Sequence, residues 1–309
     1  MSRWILILMA AVTFVCNVPA RDRPLLREEK KEKDGKPPRP KFEVEQIENI
    51  AYRDGKDADP VRHKLDLYLP KGERGYPVLF FVHGGSWRSG NKEMYVKFGQ
   101  TFAAEGIAVV VINYRLSPKV QHPAHIEDVA SAFAWTHTNI ARYGGRNDWI
   151  FPFGHSAGGH LAALLATDAK YLRHEKQLLS NIRGVICVSG VHDPNAALPL
   201  FRSAFGDRES IKDASPIEHV NRRCPPFLLM YGDRDLPLLG KMSEDFKDEL
   251  KKSRCEVQCK KIDQRNHYTI MGEMINDNDP ARQSILDFVY NHTDYKPRPR
   301  FLERLRRDK

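Results

Sequence analysis

The sequence predicts an α/β protein: one domain built on a mostly parallel central sheet, with helices on both faces. Three observations predict it. From residue 42 onward, short runs rich in β-branched and aromatic residues alternate with longer stretches at helical spacing, the rhythm of strands joined by crossover helices. Several short runs, Val78-Leu79-Phe80-Phe81-Val82 above all, are apolar at consecutive positions, as strands covered on both faces must be. Finally, the 309 residues show neither an internal repeat nor a second rhythm, so one sizeable core is expected.

Taken in order, the strands are expected at 63–69, 78–83, 108–114, 150–154, 185–188, 227–231 and 257–262. Between them, 126–143 mixes acidic, small and apolar residues at helical spacing. Residues 159–166 are small and apolar like a helix packed under a buried sheet, and 244–252 reads as an exposed charged helix. The longest break in the rhythm is 192–223, which carries Leu198, Leu200, Phe201 and Phe205 among polar residues. Ligands bind beyond the carboxyl ends of the strands in parallel sheets. A small lid insertion is therefore expected there, with an ordinary surface excursion as the alternative.

The chain starts with a basic residue, Arg3, then an apolar stretch and the small-residue site Val18-Pro19-Ala20, the pattern of a cleaved export signal. The competing reading is a membrane anchor, but the apolar run falls short of the ~20 residues a spanning helix needs. Val15 before Cys16 argues against lipidation, which wants a small residue there. The organisation read from these features is a signal peptide at 1–20, a charged Pro-rich linker at 21–41, the main domain at 42–295 and a basic tail at 296–309.

The formal charge of +9 raises the question of a nucleic-acid partner. Its placement argues against one. Residues 21–41 hold nine Lys/Arg against five Asp/Glu, residues 296–309 hold seven against two, and 42–295 holds 32 against 33. The main domain is close to neutral, and the excess lies in two segments with too little apolar surface to fold. Those tails can make weak contact with an anionic envelope; simple solvation is the plainer reading.

Beyond the leader stand Cys187, Cys224, Cys255 and Cys259, and an exported chain permits disulfides. Cys255 and Cys259 are expected to remain apart if their segment is a strand. Four residues of strand cover ~13 Å, roughly twice the span of a disulfide. Cys187 reads as a small core residue.

The chemistry is announced by Gly154-His155-Ser156-Ala157-Gly158, directly behind an apolar run and ahead of the small apolar helix. A serine on a sharp strand-to-helix turn presents its hydroxyl at the mouth of a sheet, and only glycines tolerate the close approach around it. The hydroxyl needs a base to take its proton and a carboxylate to orient that base. In enzymes with such a turn the acid and then the base follow the serine along the chain. Among twelve histidines only His267 and His292 lie beyond the acids at 233 and 235. His267 follows a strand in a loop that can reach the site, whereas His292 ends the last helix. Asp233 and Asp235 stand together at the end of the 227–231 strand with Arg234 between them, and position alone leaves the choice open. Asp193 reads as a turn or lid residue. For the developing oxyanion, Val82-His83-Gly84-Gly85-Ser86-Trp87 offers unshielded backbone N–H groups after the most apolar strand, and Ala157 N–H supplies the other arm. His83 reads as a structural hydrogen-bonder. His122-x-x-His125 lacks a third ligand at a recognisable spacing, so no metal and no cofactor are expected.

In combination these motifs are specific. His83-Gly84-Gly85-Ser86-Trp87, Asn113-Tyr114-Arg115-Leu116-Ser117-Pro118, His122-Pro123-Ala124-His125-Ile126-Glu127-Asp128, Gly154 to His160, Asp213-Ala214-Ser215-Pro216 and Gly232-x-x-Asp235 resemble the α/β-hydrolase carboxylesterases related to hormone-sensitive lipase. The branch is the one with feruloyl and acetyl-xylan esterase-like proteins and arylformamidases. The resemblance spans residues 60–290. It implies Asp235 as the acid, three residues after a glycine, and oxyanion donors at Gly85, Ser86 and Ala157. Ser86 stands where many relatives carry a third glycine, which keeps the donor and changes the shape of the acyl pocket. The function expected is an exported serine carboxylesterase that cleaves small or carbohydrate-linked acyl esters through an acyl-enzyme on Ser156. An arylformamidase-type amidase shares the same loop and triad. An inactive hydrolase-fold binding protein would show a broken triad, and none is broken here.

Overall fold

The computed structural model describes residues 41–197 and 203–297. The expected leader, nearly all of the linker, most of the basic tail and the centre of the insertion lie outside them. Eight strands form one sheet in the order β1-β2-β4-β3-β5-β6-β7-β8. These are β1 (Val44–Ala51), β2 (Lys64–Pro70), β3 (Tyr76–Val82), β4 (Ala108–Ile112), β5 (Gly145–His155), β6 (Val185–Val188), β7 (Phe227–Arg234) and β8 (Val257–Asn266). β2 runs antiparallel to both β1 and β4, and every pairing from β4 through β8 is parallel.

The consecutive apolar positions of the inner strands serve two cores. Val78, Phe80 and Val82 of β3 point into one, with α2 (Ala124–Asn139), α3 (Ala157–Thr167) and α4 (Leu239–Lys252). Leu79 and Phe81 point into the other, with α1 (Val96–Ala104) and α5 (Pro280–Asn291). Successive side chains on a strand face opposite ways, so a run of five apolar residues supplies both layers.

The sequence reading placed seven strands, and the structure adds β1. Its composition, Val-Glu-Gln-Ile-Glu-Asn-Ile-Ala, has none of the apolar density of the inner strands because it lies at the sheet edge and leaves much of its surface in solvent. A second correction concerns Cys255, which precedes β8 rather than lying in it. Cys255 and Cys259 are nonetheless not bonded to each other, and Cys187 is a buried core residue on β6. Among the described residues no helix is long and apolar enough to cross a membrane.

Candidate active site

Ser156 occupies a one-residue turn between β5 and α3. Its backbone stands at φ 54°, ψ −120°, a strained conformation for a residue with a Cβ. The turn persists because its neighbours leave it no room to relax. A Cβ on Gly158 would lie 2.0 Å from the carbonyl oxygen of Val82, so helix and strand touch backbone to backbone there. Ser156 N–H also donates to Val188 O of β6 at 2.9 Å.

The carboxylate and histidine arrive at the ends of the next strands. Asp235 follows β7 and His267 follows β8, and Asp235 Oδ1 accepts from His267 Nδ1 at 2.8 Å. Oδ1 also takes the N–H of Leu236 at 2.8 Å, while Oδ2 takes Ser189 Oγ at 2.5 Å and the N–H of Gly232 at 3.1 Å. Burial opposes the charge on Asp235. The hydrogen bond and charge of His267, with the bonds from Ser189 and Gly232, outweigh it and hold the carboxyl below its usual range. Asp233 has different partners: its Oδ1 accepts Arg265 N–H at 2.9 Å, and Arg234 Nε lies 3.9 Å from Oδ2.

Two residues that the sequence reading did not single out complete this arrangement. Ser189 lies just beyond β6, between the strands that end in Ser156 and Asp235, and its backbone too has positive φ, 50°. Strand order is the signal that would have exposed it, since a hydroxyl at that strand end is flanked by both. His155, the residue before Ser156, lies 2.9 Å from the carbonyl of His267 through Nε2, with the rings 4.6 Å apart. Burial drives the His155 pKa down to about 3, so the ring stays neutral and its Nε2–H donates. The serine turn is thereby bonded to the histidine loop. Among the described residues no hydrogen bond within 3.5 Å joins Ser156 Oγ to the His267 ring. Such contacts are often long in unliganded hydrolases and tighten on binding.

The loop behind β3 has three successive residues at positive φ: Gly85 at 116°, Ser86 at 54° and Trp87 at 58°. Gly85 is obligatory, because a Cβ would fall 2.2 Å from Ser89 O. Ser89 N–H and Arg88 N–H close the turn on Gly85 O, both at 3.0 Å. The N–H groups of Gly85, Ser86 and Ala157 donate to no backbone carbonyl among the described residues, which leaves them available to an anion. His83 stacks on Tyr114 at 4.4 Å, its Nδ1 lies 2.7 Å from Gly84 O, and burial depresses its pKa to about 4.

Trp87 ties this loop to the insertion. Its Nε1–H donates to His160 Nδ1 at 3.3 Å, and Phe205 packs edge-on against its indole at 4.7 Å. His160 Nε2–H in turn donates to Ala214 O at 2.7 Å. The two histidines of His122-x-x-His125 face different partners, Asp213 Oδ2 at 3.0 Å and Ser117 Oγ at 3.1 Å. Asp168, Asp213 and His219 converge closely enough to ligate a cation. The ammonium of Lys170 already stands against both carboxylates, at 2.9 Å and 2.5 Å.

A sheet of this order, with a serine turn behind β5, a carboxylate behind β7 and a histidine behind β8, defines an α/β hydrolase. The chain belongs to the BD-FAE family, whose profile matches residues 65–250. Esterase LipC of Mycobacterium tuberculosis is 33% identical over 202 residues, covering 59% of this chain and 50% of its own. A probable carboxylic ester hydrolase of the same organism, LipM, is 34% identical over 193 residues, 57% of this chain and 45% of its own. The chain thus spans about half the length of these curated relatives. Among solved structures, a truncated carbohydrate esterase from gut microbiota superposes with a TM-score of 0.70 at 22% identity, covering 82% of this chain and 98% of the other.

Proposed function

We propose that the protein is an exported serine carboxylesterase that cleaves small or carbohydrate-linked acyl esters. The observation that carries the reading is the 2.8 Å bond from His267 Nδ1 to the buried Asp235. That bond fixes the ring tautomer with Nε2 unprotonated and available as a base, the condition for activating a serine. Ser156 Oγ attacks the ester carbonyl as His267 takes its proton. The N–H groups of Gly85, Ser86 and Ala157 receive the oxyanion, and the alcohol leaves with the proton from His267. Water then repeats the sequence on the acyl-enzyme. The names of LipC, LipM and the gut carbohydrate esterase support an ester as substrate. Export rests on the N-terminal sequence pattern.

Labelling by a fluorophosphonate, lost in Ser156→Ala, tests the nucleophile. Parallel assays on p-nitrophenyl acetate, a feruloyl ester and an N-formyl arylamine test the bond that is cleaved. Turnover of the N-formyl substrate alone would make the protein an amidase, and no turnover of any by folded, unlabelled protein would sink the reading. Export is tested by N-terminal sequencing of the secreted protein, which should begin near residue 21.

A further inference from the structure

We propose that Cys224 and Cys255 form a disulfide that ties the start of β7 to the start of β8 and stabilises the fold. The two thiols meet at one residue: Cys255 Sγ–H donates to Asn221 O at 3.2 Å, and Asn221 N–H donates to Cys224 Sγ at 3.5 Å. Each also stands close enough to the other to bear on its ionisation. The backbone holds the segments together independently, through Phe227 N–H to Glu256 O at 2.9 Å and the parallel pairing of Phe227 with Val257. Cys224 and Cys255 are each 9% exposed, so neither is kept in place by solvent. The other two thiols point elsewhere, Cys187 to Gly159 O and Cys259 to Glu244. Adjacent buried cysteines on segments that lead into two paired strands are placed where a cross-link can close.

The oxidant is a disulfide, either a small one such as oxidised glutathione or that of a thiol oxidoreductase. One cysteine thiolate attacks it, forming a mixed disulfide and releasing one thiol. The second thiolate then displaces the other half as thiol, so the cysteines lose two electrons and two protons and the oxidant becomes two thiols. The bond would close about 30 residues of chain, enough to restrict the unfolded state appreciably. It lies at the opposite end of β7 and β8 from Asp235 and His267, so it reinforces the strands that carry them without entering the site.

The experiment is a digest of the full chain after incubation with oxidised glutathione, alkylated in denaturant without reductant. Trypsin cuts after Arg223 and Arg254, which frees Cys224 and Cys255 on separate peptides. The second peptide also carries Cys259, so Cys259→Ser is digested in parallel. The expected product is the two peptides joined and lighter by two hydrogens, persisting in Cys259→Ser. The thermal midpoint of oxidised protein should exceed that of reduced protein by about 5–10 °C. Alkylation of both cysteines after oxidation, or a cross-link that vanishes in Cys259→Ser, overturns the pairing. An unchanged midpoint overturns the stabilising role.

Discussion

Ser189 and His267 grip the two oxygens of one carboxylate: Ser189 Oγ donates to Asp235 Oδ2 at 2.5 Å while His267 Nδ1 donates to Oδ1 at 2.8 Å. The plane of the acid is thus fixed from both sides, and with it the plane of the imidazole. Removing the hydroxyl leaves a buried charged oxygen one donor short, a loss of about 1–3 kcal/mol. Ser189→Ala is expected to lower kcat for ester hydrolysis about tenfold with KM little changed. Steady-state kinetics check it; a less stable variant with full kcat would make Ser189 a packing residue only.

Asp233 and Asp235 should differ sharply in substitution. Asp235→Asn deprives His267 of its charged partner and favours the wrong tautomer, a change that costs on the order of 10³–10⁴ in kcat in serine hydrolases. Asp233→Asn alters a carboxylate that holds the Arg265 backbone and should retain activity within about twofold. Equal losses in both would contradict the assignment.

Gly158→Ala places a methyl 2.0 Å from Val82 O, against backbone that cannot yield. The expected cost is about 3 kcal/mol or more, from overpacking and backbone displacement. Guanidinium melts should show it, and Gly272→Ala, where a Cβ meets nothing within 4 Å, serves as the control.

The pH dependence of stability has two separate windows. Burial lowers His83 and His125 to about 4 and His155, His160 and His192 to about 3. Unfolded histidines titrate near 6.5. Between about 6.5 and 4 the unfolded chain therefore binds protons that the fold refuses, and stability falls as pH falls. From pH 7 to 5.5 each ring contributes a loss of about 1 kcal/mol, together on the order of 5 kcal/mol. Below about 4 the depressed carboxyls of Asp128 and Asp213, whose stabilisation is present only above their unfolded values, add a second decline. Denaturation midpoints at about pH 7, 5.5, 4 and 2.5 check both windows; a flat profile from about 7 to 5 would contradict the first, and a flat profile below about 4 the second.

The inner strands were legible because burial on both faces writes itself into consecutive apolar residues. β1 was not, because an edge strand with charged side chains satisfies no apolar pattern. The serine turn and the two carboxylates after β7 were visible as short motifs, yet strand-end position left Asp233 and Asp235 level, and only resemblance separated them. Their difference lies in partners contributed from β8 and its loop, Arg265 for one and His267 for the other. Ser189 was hidden for the same reason: a serine in Val-Ser-Gly-Val acquires meaning only when strand order brings β6 between β5 and β7. The adjacency of Cys224 and Cys255 is likewise a product of parallel pairing between segments about 30 residues apart.

The insertion meets the body through a few large contacts: Phe205 on Trp87, Asp213 on His122 and Lys170, and the Ala214 carbonyl on His160. It leaves the sheet after β6 and rejoins it before β7, so its length can change without disturbing the register of either strand. For anyone redesigning this scaffold, the exposed Asp207, Arg208, Glu209 and Lys212 are the positions open to change, while Ala204, Phe205, Ile211 and Ala214 are buried in the main core and must be kept.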